Sequence, residues 1–344
     1  MKETHKVNVL CIWQPNEPLL KYLMDGLAKY PQVNLIIPPD REEDSFLELI
    51  KEYKPEIIMG WRPTKRLLEE AKNLKLFINP GAGVQHLIPL FSKITKEREI
   101  ILVNGHGNSY FTAQHAVALL LSLTNKIILH HNWMKEGLWR RGDNFAKSTP
   151  LWGKTIGLLG YGAVNKKVHR FLSSFDVDFN IFRRDWNKQE DTLPTQVKAF
   201  GYNQLHEFLE NIDVLIIAVP LTSKTERMIR SKELELLGKD GLIVNVGRGA
   251  VIDEESLFEA LRNGVIAGAA IDVWYNYQPE PEGDGKKYPT KYPFHKMDNV
   301  ILSPHRGASP MDDLKRWDEQ IENISRFVRG EKIFLNEVNI KEEY

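Results

Sequence analysis

The sequence predicts an α/β protein with two domains, each built on a doubly wound parallel sheet. The chain has 344 residues, and a chain of this length is expected to form about two domains. Short apolar strand patterns alternate with helical patterns, and a second series of such patterns starts near residue 155. This alternation is typical of parallel sheets that carry helices on both faces.

The first series of patterns predicts the first domain. Its strands are expected at 7–13, 35–37, 57–61, 76–79 and 100–103, with helices such as 19–30 and 65–72 between them. A long helix is predicted over 112–139, and its apolar stretch at 116–121 predicts burial between the domains. The amphipathic helix 312–328 is expected to return to the first domain, which then comprises residues 1–106 and 308–344.

The second series predicts a cofactor domain over residues 107–307. Its strands are expected at 155–159, 179–182, 214–219, 242–246, 267–271 and 300–302. Residues 275–293 are rich in proline, glycine and charge, which predicts a loop. Solvated disorder is one interpretation, and a functional loop beside a cleft is the other. Its position after a strand favours the second.

Composition restricts the partners. Lysine plus arginine and aspartate plus glutamate both total 46, so no net field attracts nucleic acid or an acidic membrane. We therefore expect small-molecule partners, and predict no metal. Cys11 is the only cysteine, which excludes an internal disulfide and suits a reducing compartment. The N-terminus lacks a signal-peptide pattern and the apolar run 116–123 is too short to span a membrane, so a cytoplasmic location is expected.

A glycine motif predicts a dinucleotide site. It follows a strand pattern, opens a helical pattern and reads Gly160-Tyr161-Gly162-Ala163-Val164-Asn165. Gly160 allows a tight turn and Gly162 allows backbone to approach a pyrophosphate at the helix N-terminus, as in a Rossmann domain. Asn165 stands where a third glycine is usual, and an ordinary strand-to-helix turn is the alternative.

The next strand pattern ends at Arg183-Arg184-Asp185. An NAD-binding chain usually has an acid at the Arg183 position, where it binds the ribose hydroxyls. A guanidinium there can bind a ribose 2′-phosphate, which predicts NADP(H) over NAD(H). The alternative is that Asp185 reaches the ribose while the arginines lie in solvent.

Nearly the whole chain resembles the D-isomer-specific 2-hydroxyacid dehydrogenases, with formate dehydrogenases as more distant members. Four blocks carry the resemblance, and the last two are the specific ones: Pro80-Gly81-Ala82-Gly83-Val84; the glycine motif; Val244-Asn245-Val246-Gly247-Arg248-Gly249-Ala250-Val251-Ile252-Asp253-Glu254; and Ala270-Ile271-Asp272-Val273 with Ser303-Pro304-His305-Arg306-Gly307. The resemblance implies a flavodoxin-like substrate domain beside the Rossmann domain. It also implies an NAD(P)-dependent oxidoreductase acting on CH–OH groups.

Two residues are predicted to carry the chemistry. Reduction of a 2-oxoacid requires that a carboxylate be held, a ketone polarised and a proton supplied to the forming alkoxide. Arg248 lies between two glycines after a strand, so its guanidinium can bind carboxylate and carbonyl oxygens. His305 follows the last strand and can donate the proton. The resemblance makes these the catalytic arginine and the proton donor.

Other contacts are predicted with less support from the residues alone. The resemblance assigns Asp272 to the nicotinamide carboxamide, and backbone N–H groups of Ala82, Gly83 and Val84 to the substrate carboxylate. Asn108 is a further possible substrate contact. Trp61 and Arg62 end a strand and either shape the substrate pocket or serve as an ordinary cap and a solvated charge. The predicted cofactor contacts also include Pro220, Val246 and Gly247.

One departure from the family pattern concerns the partner of His305. Most hydroxyacid members have a glutamate soon after the Asp-Val pair, whereas Gln278 takes that position here, as glutamine does in formate dehydrogenases. A neutral amide orients the ring without holding its proton electrostatically. Either the histidine works with a more acidic pH profile, or the reaction needs no proton. Glu280 or Glu282 is the alternative partner.

The sequence as a whole predicts an NADP(H)-preferring D-2-hydroxyacid dehydrogenase that reduces small 2-oxoacids such as glyoxylate or hydroxypyruvate, with NAD(H) as a possible cofactor. A formate-dehydrogenase-like enzyme is one alternative. A dinucleotide-sensing, corepressor-like protein without catalysis is another. Related proteins are commonly dimers, so a homodimer is expected, with residues 116–123, Trp133 and Trp139 at its interface.

Overall fold

The computed structural model describes residues 5–141, 144–186 and 192–344. The chain divides into two compact units, one formed by Met1–Asn108 with Met311–Tyr344 and the other by Ser109–Pro310. Each unit holds one all-parallel sheet, which confirms the predicted fold class. Within the described ranges, no helix is long and apolar enough to cross a membrane.

The first unit has a five-stranded sheet in the order β2-β1-β3-β4-β5, the flavodoxin-like order. Its strands are β1 (Val7–Cys11), β2 (Val33–Ile36), β3 (Ile57–Met59), β4 (Leu76–Asn79) and β5 (Ile101–Asn104), and the helices between them are α1 (Glu17–Leu27), α2 (Glu43–Tyr53), α3 (Lys65–Glu70) and α4 (Ile88–Ile94). Caps explain where helices begin: Asn16 accepts a hydrogen bond from Leu19 N at 3.0 Å, and Thr64 accepts one from Leu67 N at 3.0 Å.

Alternate residues of these strands enter two different cores. Leu10, Ile58 and Phe77 pack on one face of the sheet, while Val9 and Met59 pack on the other. Because both faces are covered, the strands are mostly apolar and do not alternate regularly with polar residues.

The second unit has a seven-stranded sheet in the order β12-β11-β10-β9-β6-β7-β8. Its strands are β6 (Thr155–Leu159), β7 (Asp178–Phe182), β8 (Lys198–Phe200), β9 (Val214–Ile217), β10 (Leu242–Asn245), β11 (Gly268–Ile271) and β12 (Val300–Leu302). Strand β8 was not predicted, because two of its three residues are exposed and leave no apolar run. The direction of winding reverses between β6 and β9, and ligands bind at the carboxyl ends of strands beside such a reversal.

The helices of this unit correct one prediction. They are α5 (Ser109–Thr124), α6 (Ile127–Lys135), α7 (Ala163–Leu172), α8 (Leu205–Glu210), α9 (Ser231–Leu237) and α10 (Glu254–Arg262). The predicted single helix over 112–139 is therefore two helices. Lys126 takes a left-handed conformation at φ 54°, and the Asn125 amide donates to Leu121 O at 3.0 Å, so the first helix ends there.

Helix α5 packs against α7 and β11 within the second unit. It is not buried on every side, since Gln114 and Ala118 are exposed.

The end of the chain belongs to the first unit. Where one helix was predicted over 312–328, a short 3₁₀ turn at Leu314–Trp317 precedes α11 (Asp318–Val328). Helix α11 packs against α1, closely enough that a Cβ on Gly26 would lie 2.7 Å from Ile321 Cδ1. In the second unit, residues 272–293 contain neither helix nor strand, as the loop prediction expected.

Candidate functional site

The glycine motif forms a tight turn between β6 and α7. Gly160 has a φ of 82°, a conformation that favours glycine. Gly162 is exposed, and a Cβ built there would meet nothing within 4 Å. It is also the N-cap of α7 and has no side chain with which to cap the first-turn N–H groups. An open space above the N–H groups of a helix N-terminus fits the pyrophosphate of a dinucleotide.

Asn165 explains how the motif works without its third glycine. The residue is fully buried, and its amide nitrogen donates to Gly160 O at 2.7 Å and to Ile216 O at 3.3 Å. The side chain thus ties the glycine turn to strand β9. Asn165 therefore holds the glycine turn in place by hydrogen bonds in addition to close packing.

The predicted NADP(H) residues follow β7. The Arg183 guanidinium lies 5.2 Å from the Trp186 ring centre, a cation–π contact. The N–H of Arg183 donates to Phe200 O at 3.1 Å, which fixes the backbone beside β8. Arg184 is exposed and Asp185 is half-buried. Pro220 and Val246 lie just past the carboxyl ends of β9 and β10.

Arg248 is held by a loop that needs both of its flanking glycines. A Cβ on Gly247 would lie 2.8 Å from Val219 O, and one on Gly249 would lie 2.5 Å from Trp274 O. The buried Asn245, which we did not predict as a site residue, accepts from Gly247 N at 3.1 Å and donates to Arg248 O at 3.0 Å. The Arg248 guanidinium donates to Gly247 O at 2.7 Å. Burial lowers its pKa.

His305 sits in the loop after β12 with a φ of 58°, a left-handed conformation that histidine adopts more readily than most residues. Its backbone N–H donates to Ser303 O at 3.0 Å. Partial burial lowers the pKa of the ring; Asp272 opposes this decrease and the Arg248 guanidinium adds to it. The guanidinium and the imidazole therefore act on each other.

Tyr277, not Gln278, holds the His305 ring. The Tyr277 hydroxyl lies 2.7 Å from His305 Nδ1, and it accepts from Trp274 N at 3.2 Å. The predicted partner Gln278 is exposed, and its backbone N–H donates to Asn276 Oδ1 at 2.9 Å. Sequence reasoning missed Tyr277 because the family pattern pointed to an amide or a carboxylate, one residue further along the chain.

Asp272 anchors the His305 loop. Its carboxylate is almost fully buried and accepts from Ser303 Oγ at 2.5 Å, Arg306 N at 2.7 Å and Gly307 N at 2.9 Å. His115 Nε2 lies 3.3 Å away. Burial opposes ionisation, but the hydrogen bonds from His115, Ser303 and the loop outweigh it, so the pKa of Asp272 is lowered. Asp272 is therefore an anion that fixes the backbone directly after His305 and the Ser303 side chain before it.

In the first unit, two buried asparagines shape the turn predicted to bind a carboxylate. Asn104 Nδ2 donates to Ala82 O at 2.7 Å, and Asn79 Nδ2 donates to Gly83 O at 3.3 Å. These asparagines end neighbouring strands and pair in register. Because their amides engage the carbonyl groups of the turn, the N–H groups of Ala82, Gly83 and Val84 remain the groups suited to an anion.

Trp61 lies beside that turn. Its indole Nε1 is 3.4 Å from the position of a Cβ on Gly81. The ring packs edge-on against Trp13, at 5.2 Å between ring centres, and against Trp317, at 6.0 Å. The carbonyl oxygen of Trp61 lies 2.5 Å from His86 Nε2. Arg62 is exposed, and Asn108 is half-buried immediately before α5.

Comparison with known proteins agrees with this geometry. Residues 117–307 match the family model described as the D-isomer specific 2-hydroxyacid dehydrogenase, NAD binding domain. A glyoxylate/hydroxypyruvate reductase from Arabidopsis thaliana is 32% identical over 251 residues, which are 72% of this chain and 72% of the relative. A glyoxylate reductase from Thermofilum pendens is 31% identical over 300 residues, which are 86% of this chain and 83% of that one.

A solved structure shows the same fold. It is the NADPH-dependent glyoxylate/hydroxypyruvate reductase from Sinorhizobium meliloti, in complex with NADP and malonate, with a TM-score of 0.71, 23% identity and coverage of 98% of both chains. The family model covers more than half of this chain, and it is a nicotinamide dinucleotide-binding domain. The chain belongs to the D-isomer specific 2-hydroxyacid dehydrogenase family, the NAD(P)-dependent oxidoreductases that act on the CH–OH group of 2-hydroxyacids.

Proposed function

We propose that this protein is an NADP(H)-preferring dehydrogenase that works mainly as a reductase of small 2-oxoacids such as glyoxylate or hydroxypyruvate. The observation that carries the proposal is the 2.7 Å contact of the Tyr277 hydroxyl with His305 Nδ1, at the carboxyl edge of the second sheet where Arg248 also lies, after β10. A guanidinium beside an oriented imidazole is the pair that reduction of a 2-oxoacid needs. The names of the two similar reductases support the substrate class.

The two units and the site residues have different roles in this reaction. Residues 107–307 bind the dinucleotide, which supplies the hydride when bound, and residues 1–106 with 308–344 bind the substrate. The guanidinium of Arg248 binds substrate oxygens and polarises the carbonyl bond. Nδ1 of His305 is engaged by Tyr277, so Nε2 donates the proton to the forming alkoxide. The turn at residues 82–84 holds the carboxylate, and Trp61 limits the space for the substrate side chain.

The assignments to the cofactor rest on position. Gly160, Gly162 and the start of α7 hold the pyrophosphate, while the Asp272 carboxylate is assigned to the carboxamide. Pro220 and Val246 border the same edge of the sheet. Each assignment predicts a loss of dinucleotide affinity, measured by quenching of tryptophan fluorescence, when the residue is replaced.

The preference for NADP(H) rests on Arg183. The stacking of its guanidinium on Trp186 leaves the planar N–H edge available to a 2′-phosphate, and the Sinorhizobium meliloti enzyme is named as NADPH-dependent. Charge-assisted bonds of about 1.5–3 kcal/mol correspond to a tenfold to hundredfold preference. The KM values for NADPH and NADH test it: Arg183→Asp should reverse the preference, and a wild-type preference for NADH would refute it.

The central experiment is an assay of glyoxylate, hydroxypyruvate, other 2-oxoacids and formate with NADPH or NADP⁺, as the direction requires. We expect oxoacid reduction, and we expect His305→Gln to abolish it while dinucleotide binding is kept. Near-normal turnover of His305→Gln would remove the proton-donor role. Oxidation of formate without oxoacid reduction would favour the formate-dehydrogenase alternative, which Gln278 motivated and which the Tyr277–His305 contact weakens.

We also propose a homodimer. Large apolar side chains lie exposed on α6 and just after it, where burial against a second copy would remove them from water: Ile127, Ile128, Met134, Leu138, Trp139 and Phe145. Light scattering should give twice the chain mass, and Ile128→Asp should reduce it. A cytoplasmic location is proposed on Cys11, a single buried thiol suited to a reducing compartment.

A further inference from the structure

Tyr277 and His305 are fixed to one buried frame. Trp274 is buried; its backbone N–H donates to the Tyr277 hydroxyl at 3.2 Å, and its indole Nε1 donates to Ser303 O at 2.8 Å. Ser303 O also accepts from His305 N at 3.0 Å. The Tyr277 hydroxyl and the His305 backbone are therefore both hydrogen-bonded to the linked pair Trp274 and Ser303. This shared support places the hydroxyl 2.7 Å from His305 Nδ1.

The hydroxyl can pair with either protonation state of the ring. It has one proton and two lone pairs, and one lone pair accepts from Trp274 N. When Nδ1 carries no proton, the hydroxyl donates to it. When the ring is an imidazolium, Nδ1–H donates to the second lone pair. When Nε2 gives up its proton, Nδ1–H remains and still donates to the Tyr277 hydroxyl, so the ring keeps its orientation before and after proton transfer.

Among the described residues, the titratable groups that bear on His305 include Tyr277, Arg248, Asp272 and, beside Asp272, His115. Tyr277 is half-exposed, but desolvation of its hydroxyl raises its pKa, so it is a neutral phenol. Arg248 disfavours the imidazolium, Asp272 favours it, and His115 lies on the far side of Asp272. A carboxylate in place of Tyr277 would add a negative charge within hydrogen-bond distance of Nδ1 and make the ring a weaker acid.

We propose that Tyr277 is a positioning residue for proton transfer: its hydroxyl fixes the His305 ring through Nδ1 in both protonation states without placing a negative charge on it. This inference rests on the proposed function. It also explains how the site can work with no carboxylate on the ring, since the exposed Glu280 and Glu282 are not needed for orientation.

The test compares Tyr277→Phe and Tyr277→Glu with wild type. The control is Tyr288→Phe, which removes a hydroxyl from another tyrosine of the same loop, one that stacks on His295 at 3.8 Å between ring centres. Tyr277→Phe keeps the ring and should lower kcat for oxoacid reduction at least tenfold, as expected when a general acid worth about 10²–10⁴ in rate loses its orientation. The KM for the dinucleotide should not change.

The pH dependence of the reduction rate distinguishes a positioning role of Tyr277 from a packing role. Reduction needs the imidazolium, so the rate falls as pH rises through the pKa of His305. A carboxylate at residue 277 should move this fall to higher pH by about one to three units. Unchanged kcat and an unchanged profile in Tyr277→Phe would overturn the proposal, as would a Tyr277→Glu profile that does not move.

A readout without substrate keeps the two proposals separate. Nitrogen NMR of the His305 ring, assigned by its absence in His305→Gln, reports the tautomer and the pKa directly. Tyr277→Phe should change the tautomer balance and Tyr277→Glu should raise the pKa, whatever the substrate is. If these shifts occur and no oxoacid is reduced, the proposed function is wrong and the inference about Tyr277 stands. If Gln278→Leu shifts the ring signals and Tyr277→Phe does not, the partner is Gln278 and this inference is wrong.

Discussion

Replacing Asp272 by asparagine tests how the structure holds its proton donor. The carboxylate accepts from Ser303 Oγ and Arg306 N through Oδ1 and from Gly307 N through Oδ2. An asparagine of the same shape has one acceptor oxygen, so it best keeps the Oδ1 contacts and turns its NH₂ group toward Gly307 N–H. One charge-assisted hydrogen bond is then lost and two donors face each other.

The expected cost is about 2 kcal/mol, the middle of the range for a hydrogen bond to a charged group. For a unit of this size that corresponds to a decrease in Tm of about 4–8 °C. The loss should depend on pH. Since the pKa of Asp272 is lowered in the folded protein, its contribution is complete above the ordinary pKa of about 4 and disappears as pH falls through the folded value. Wild type and variant should therefore differ by a constant amount near neutral pH and converge in acid.

The assay is thermal unfolding followed by circular dichroism between pH 3 and 8, with dinucleotide KM measured in parallel. Asp298→Asn is the control, because Asp298 is exposed and a surface change of this kind stays within about 0.5 kcal/mol. If Asp272→Asn is as stable as the control while the KM rises, then the carboxylate serves the nicotinamide and does not anchor the loop.

Three further predictions follow from the same geometry. Arg248→Lys should lower kcat/KM for oxoacid reduction at least a hundredfold, because a point charge cannot replace a planar pair of donors; steady-state kinetics with intact dinucleotide binding would check it. Gly249→Ala should destabilise the second unit by about 1–3 kcal/mol in urea unfolding, since its Cβ would meet Trp274 O at 2.5 Å. Burial lowers the pKa of His169 to about 4, so stability should fall by about 1.4 kcal/mol per pH unit from about pH 6.5 toward pH 4; His169→Gln should remove this slope, and an unchanged slope would contradict it.

The sequence predicted the elements whose signal is local. Buried parallel strands are apolar runs that are easily recognised in a sequence, and most were placed to within two residues; β4, β6 and β12 matched in full. The prediction of one helix over 112–139 was wrong because the first helix ends before a left-handed Lys126. A lysine in the sequence does not indicate that conformation. Strand β8 was missed because three residues, two of them exposed, carry almost no periodic signal.

The same difference between residues with a local sequence signal and residues without one applies to the site. Arg248 and His305 lie in sequence blocks that resemble a known family, and that resemblance was needed to predict their roles. Asn245, Asn165 and Tyr277 could not be named in this way, because their roles arise from where a side chain points. Asn165 stands in the place of a missing glycine, yet its amide binds the turn that such a replacement is expected to loosen. One signal for Tyr277 did exist: it lies between Asp272 and the predicted Gln278, in a loop already expected to line a cleft.

Different residues hold the backbone and the ring of His305, and this has a consequence for the evolution of the site. Asp272 fixes the backbone through Arg306 N and Gly307 N, which offsets the cost of about 1–3 kcal/mol of a strained left-handed residue. Tyr277 fixes only the ring. Because the backbone does not depend on residue 277, that residue can change its charge without displacing the histidine. The acidity of the proton donor can therefore be adjusted separately from its position.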